Sequence, residues 1–161
     1  MDNNLANLYV DQRRYQEAEE LYGKSLRICE KIQGEEHQDT AISYNNLADL
    51  YFKQGKYQEA EELYKKSLRI KERVWGKEHP DTALGYHNLA ALYQKQGKYE
   101  LALTYYLRAY KVFSLLFGME HFDTKDEYEG MKAVFSEWDA KGDFQQWLAE
   151  QMKETGETNM A

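Results

Sequence analysis

Asn46-Leu47-Ala48-Asp49-Leu50-Tyr51 decides the fold, because the block occurs three times. Asn4-Leu5-Ala6-Asn7-Leu8-Tyr9 lies 42 positions before it, and Asn88-Leu89-Ala90-Ala91-Leu92-Tyr93 lies 42 positions after. Two more blocks keep that step. Tyr15 to Tyr22 returns unchanged as Tyr57 to Tyr64 and more loosely as Tyr99 to Tyr106. Gly34, Glu36, His37, Asp39 and Thr40 return at 76–82 and again at 118–124. Three blocks sharing one period are an internal repeat, and a repeat of this length is one supersecondary unit stacked on its neighbours. The fourth unit starts in register and then drifts, since Lys141-Gly142-Asp143-Phe144 matches Gln96-Gly97-Lys98-Tyr99 only at a step of 45.

Each unit carries two helical stripes. Leu47, Leu50 and Tyr51 are spaced i, i+3, i+4, and Ala60, Leu63, Tyr64, Ser67, Leu68 and Val74 form a longer second stripe. Gly55 and Gly97 separate the two stripes of their units, since glycine accepts the left-handed conformation that ends a helix. Arg13 stands at that position in the first unit, so its turn must either avoid positive φ or carry strain. Pro80 suits a first helical turn, and Asp81 beside it complements the helix dipole. The expected helices are 3–12 and 15–33, 38–54 and 57–75, 80–96 and 99–117, and 122–140 and 143–154. Short turns make the partners antiparallel. The chain reads as one array over 1–154, in units 1–37, 38–79, 80–121 and 122–154. A disordered tail is expected at 155–161, which is short, polar and terminal.

Ala48, Tyr51, Gly55, Tyr57, Ala60 and Tyr64 resemble the tetratricopeptide repeat (TPR), in which a small residue and a Tyr on the first helix face an Ala on the second. The 42-residue step and Gly76-Lys77-Glu78-His79-Pro80-Asp81-Thr82 are similar to the longer variant found in kinesin light chains and many bacterial proteins. The resemblance implies an all-α, right-handed α-solenoid of about four antiparallel helix pairs. It also implies a noncatalytic protein-interaction scaffold whose first helices line a concave, peptide-binding groove. On that surface, off the buried stripe, fall Asn3, Asn4, Asn7 and Asp11; Asn45, Asn46, Asp49 and Lys53; and His87, Asn88 and Lys95. Phe52 and Gln94 sit on its rim.

Asn4, Asn46 and Asn88 recur once per layer. A carboxamide offers both a donor and an acceptor, so such a ladder can pair with an extended peptide backbone. Equally, each Asn can bond the adjacent layer and only fix the stack. Lys53 and Lys95 are candidates to receive acidic ligand groups.

Other chemistry finds little footing. Nine of the 14 tyrosines occupy three repeated positions, which marks interlayer packing more than a stacking platform. Trp75, Trp138 and Trp147 do not recur and are expected to cover local gaps. His37, His79 and His121 fall one per turn, so stacking should hold them about 10 Å or more apart, whereas zinc ligands lie about 2 Å from one centre. They read as turn histidines bonded to backbone or a neighbouring acid. Glu62 can pair with Lys66 across one helical turn. Catalytic, metal and cofactor residues are expected to be none: there is no phosphate loop, nucleophile elbow or Cys/His pairing.

A net charge of −7 argues against nonspecific nucleic acid or anionic membrane as partners. The one cysteine, Cys29, aligns with Lys71, which suggests an exposed and incidental thiol. No apolar stretch is long enough to cross a bilayer, and Met1-Asp2-Asn3-Asn4 is unlike a signal peptide, so a cytoplasmic location is expected. Two other functions fit the same residues. One is self-association through the incomplete first repeat, where Leu5, Leu8 and Tyr9 would lie open. The other is service as the sensor arm of a larger regulator.

Overall fold

The computed structural model describes residues 3–138 and 141–158. The chain is all-α: α1 (Asn3–Asp11), α2 (Tyr15–Gln33), α3 (Gln38–Lys53), α4 (Tyr57–Trp75), α5 (Pro80–Lys95), α6 (Tyr99–Phe117), α7 (Phe122–Glu137) and α8 (Phe144–Thr158). These stack as consecutive antiparallel pairs into a right-handed solenoid. α7 stops short of the expected 140, with Trp138 as its C-cap; 139–140 lie outside the described residues. α8 continues four residues past the expected 154, since each further residue adds a backbone bond to a helix already formed. Of the expected tail, 159–161 lie outside the described residues.

The repeated alanines carry the closest packing. Ala6, Ala18, Ala48, Ala60, Ala90 and Ala102 are all fully buried, which lets the two helices of a pair approach at short range. The tyrosines fill the space between layers. Tyr22, Tyr64 and Tyr106 are buried, as are Tyr44 and Tyr86, a further periodic set not singled out from the sequence.

The turns are built identically. In each, the histidine caps the next helix: His37, His79 and His121 accept through Nδ1 from the backbone N–H of Asp39, Asp81 and Asp123 at 3.2, 3.1 and 3.3 Å. The accompanying threonine donates backward, Thr40 to Gly34 O at 2.7 Å, Thr82 to Gly76 O at 2.7 Å and Thr124 to Gly118 O at 2.8 Å. Two helix-end groups are thus satisfied, an N–H by a side chain two residues before it and a carbonyl by one six residues after it.

Arg13 takes the strained option. Its φ is +58°, beside +76° at Gly55 and +71° at Gly97. The same bond closes all three turns, Arg14 N to Tyr9 O at 2.7 Å and the Lys56 and Lys98 counterparts at 2.8 Å. A guanidinium side chain is therefore held where glycine is at ease.

Two readings need correction. Lys71 is only 7% exposed, and its counterpart Phe113 is buried, so the Cys29 position faces the next layer and not solvent. Cys29 is half-buried and accepts from Ser43 Oγ at 3.5 Å. A lysine misled because its long apolar stem packs against the next layer; burial pushes its ammonium's pKa down. The helix pair in α4 is Lys65–Glu61, at 2.6 Å, with Lys66 instead lying over the Tyr44 ring. Tyr93 from the next layer also donates to Glu61, at 2.9 Å, which fixes that carboxylate for Lys65.

Candidate interaction groove

The tyrosines of the second helices reach through the layer and set the groove residues from behind. Tyr22 donates to Asn7 Oδ1, and Tyr64 donates to Asp49 Oδ1 at 2.5 Å. Ala91 occupies that position in the third unit, so Tyr106 turns to Gln94 Oε1 at 2.9 Å. Gln94 in turn donates to Glu137 at 2.8 Å.

Asn45 joins two layers. It donates to Asp49 Oδ2 at 3.2 Å and accepts from Asn88 Nδ2 at 2.9 Å. Asn88–Asn45–Asp49–Tyr64 is thus one connected run across α5, α3 and α4. Burial raises the Asp49 pKa, against the pull of Tyr64, Lys53 and Lys71 toward the ionised form.

His87 and Glu127 link the third and fourth units. Their Nδ1 and Oε1 atoms lie 2.7 Å apart. Glu127 is 2% exposed, and its Oε2 is buried with no hydrogen-bond partner. Ser43 and Gly85 hold the corresponding places, so an acid there is peculiar to this layer. Glu127 holds its proton more tightly because of burial, and His87 does so because of its bond to Glu127.

The expected ladder is therefore uneven. Asn88 is engaged with Asn45, whereas Asn46 makes no hydrogen bond among the described residues and lines a small cleft with Asn7, Asp11, Asp49 and Lys53. Asn4 is exposed on α1. Lys53 and Lys95 are exposed near the ends of α3 and α5, without an ion pair among the described residues. The ladder stops at Gly130. A Cβ there would lie 2.9 Å from Tyr106 Cε1, so no asparagine fits.

Sequence reasoning missed Glu127 and the tyrosine props. The 14-residue link of Tyr44 to Glu30 and Tyr86 to Glu72, both at 2.8 Å, was open to view as a second periodicity. Glu127 left no signal, because only the folded layers carry its carboxylate to His87.

Comparisons with known proteins agree with this architecture. A family model described as "Tetratricopeptide repeat" matches residues 1–73 and 46–115. The crystal structure of BtubC (BKLC) from P. vanneervenii is similar at 27% identity and a TM-score of 0.79, over 98% of this chain and 63% of that one. A Podosopora anserina protein described as a kinesin light chain with nearly identical TPR-like repeats is similar at 26% identity and a TM-score of 0.77, over 83% of this chain and 64% of that one. The chain thus spans less than two thirds of the length of these relatives. Among curated proteins nothing matches it significantly.

Proposed function

The chain belongs to the tetratricopeptide repeat family, whose repeats serve as protein–protein interaction scaffolds, and from that premise we propose that it holds a peptide segment of another protein along its concave groove. Among the described residues no helix is long and apolar enough to cross a membrane. The proposal includes work in the cytoplasm, without catalysis or a cofactor.

One observation carries the reading. Asn46, Lys53 and Lys95 keep their polar groups free beside a framework whose own polar groups are already satisfied, the run Asn88–Asn45–Asp49–Tyr64. A prearranged framework lowers the ordering cost of binding. In this reading Asn46 pairs with the peptide backbone through both its donor and its acceptor. Asn88 contributes its remaining carbonyl lone pair, and Asn45 and Asp49 hold the geometry. Lys53 and Lys95 meet carboxylates of the ligand, while Asn4 and His87 border the track.

The test is capture of partners from a lysate of the source organism, comparing the wild type with Asn46→Ala/Lys53→Ala/Lys95→Ala. Circular dichroism first establishes that both are equally helical. A partner held by the wild type and lost by the variant, with direct binding confirmed using the purified partner, supports the groove. Equal capture by both sinks it.

A further inference from the structure

Gly23, Gly85 and Gly130 stand inside α2, α5 and α7. At Gly85 and Gly130 a Cβ would lie 3.0 Å from Leu68 and 2.9 Å from Tyr106, so packing crowds out a side chain. At Gly23 the nearest atom would be Arg27 Nη1 at 3.6 Å, an ordinary contact with the end of a flexible chain. The backbone there is helical and not left-handed, so neither packing nor conformation requires glycine. Glycine within a helix is also less stable than the lysine at this place in the next unit.

Beside Gly23 a cleft of 810 Å³ opens between α2 and α3, with Leu26, Leu47 and Tyr51 among its walls. Of the eleven residues around it, ten recur unchanged 42 positions on; the exception is Gly23, which answers to Lys65. In that next layer Lys65 gives its ammonium to Glu61 Oε1 at 2.6 Å, and Tyr93 donates to the same oxygen at 2.9 Å. In the first layer Tyr51 holds Glu19 in the same way, at 2.9 Å, but Glu19 pairs with no cation among the described residues. The acceptor is in place and its ammonium is missing.

Lys24, Arg27 and Lys56 also border the cleft. They do not substitute for Lys65. Lys24 is five residues past Glu19 and off its stripe. Arg27 is two helical turns away, about 12 Å along the axis. Lys56 lies over the Tyr51 ring, 5.4 Å from its centre. Nor do they bar an ammonium, because the same three recur as Lys66, Arg69 and Lys98 in the layer where Lys65 binds.

We propose that this cleft receives a lysine side chain of a partner protein, its ammonium on Glu19 and its alkyl stem against Leu26 and Leu47. The second layer supplies the template, since there a lysine occupies an otherwise identical setting. One half-exposed ion pair holds little by itself, so the lysine arrives on a polypeptide that brings further contacts, not as a free amine. The cleft shares no residue with the first-helix groove, and the proposal does not depend on that groove.

The experiment titrates N-acetyl-lysine methylamide into the isotope-labelled chain at constant ionic strength and follows the backbone amide signals. Saturable shifts are expected at Gly23, Tyr51 and Gln54, and none with the norleucine counterpart, which lacks the charge. Glu19→Gln keeps the cleft and an acceptor for Tyr51, and is expected to lose the shifts. Gly23→Lys, which fills the site from within, should lose them too. Lys65→Gly should create a second saturable set around Glu61 and Tyr93. The absence of shifts in the wild type, or their persistence in Glu19→Gln, overturns the proposal. So does equal response to the norleucine probe, or a response at these residues to the glutamate counterpart alone, which would assign the cleft to an acidic group. Tighter binding of putrescine than of the lysine probe overturns the polypeptide source.

Discussion

Asn88 gives its carboxamide N–H to Asn45 at 2.9 Å, so the third layer is tied to the second by the residue type that the groove would otherwise offer to a ligand. Asn46, one position on from Asn45, is left free. The two therefore separate by experiment. Asn45→Ala should lower stability by about 1 kcal/mol or somewhat more, since it strands Asn88 and loosens Asp49. Asn46→Ala should leave stability within about 0.5 kcal/mol while weakening ligand capture. Urea unfolding of both variants, beside the capture assay, reads the difference.

Arg13→Gly should stabilise the first turn. A residue with a side chain at φ +58° costs about 1–2 kcal/mol, part of which is returned as glycine's greater freedom in the unfolded chain. The net expectation is a gain of about 0.5–1 kcal/mol, seen as a higher urea midpoint with an unchanged slope. No gain would mean that the stacking of Arg14 over Tyr9, 4.3 Å from the ring centre, depends on the native turn.

Gly130→Asn tests why the asparagine ladder ends. The new Cβ would meet Tyr106 at 2.9 Å, and that ring is buried between α6 and α7. A loss of about 1–3 kcal/mol is expected, as for other overpacked cores. The companion Gly130→Asn/Tyr106→Ala should recover local fit, though not the lost aromatic burial. A double-mutant cycle by thermal unfolding measures the coupling.

His87 and Glu127 predict a pH dependence. Both bind a proton more tightly in the folded chain than in the unfolded one. Wherever the folded state holds more protons, stability falls as pH rises. The contribution of His87 is complete below its ordinary value of 6.5 and is lost above it, as pH passes through the raised value. Glu127 acts in the same sense from its ordinary value of 4.5 upward. Melting measured from pH 6 to pH 8.5 should therefore fall more steeply in the wild type than in His87→Asn/Glu127→Ser, which installs the residues of Asn45 and Ser43. Equal slopes would show that the pair has no share in the pH response.

Tyr51 and Tyr93 carry matching interlayer bonds, to Glu19 and Glu61, each at 2.9 Å. Tyr51→Phe and Tyr93→Phe should each cost about 1 kcal/mol. The third interface has Phe135 and Leu103 at these places, so the polar link is already replaced by apolar packing. Hydrogen exchange should report local opening at α2–α3 in the first variant and at α4–α5 in the second.

The fold and most helix ends were legible in the linear sequence, because a repeat makes each unit a control for the others. Ala48 against Ala90, Gly55 against Gly97 and His79 against His121 each name a position by its recurrence. In the structure they serve as close contact, turn and, for the histidines, a local backbone bond that caps the next helix. Register also fixed which side chains could line the first-helix surface, since helical spacing puts Asn45, Asn46 and Asp49 on neighbouring tracks. What register could not decide was which of those groups are already spoken for. Asn88 reaches Asn45 across 43 residues, and His87 reaches Glu127 across 40, because stacking brings adjacent layers within bonding distance. The burial of Lys71 and the close approach of Tyr106 to Gly130 likewise depend on the volume left between two particular helices. Local chemistry and period determined the architecture; distances between layers, set only when the helices pack, decided which side chains remain free to act.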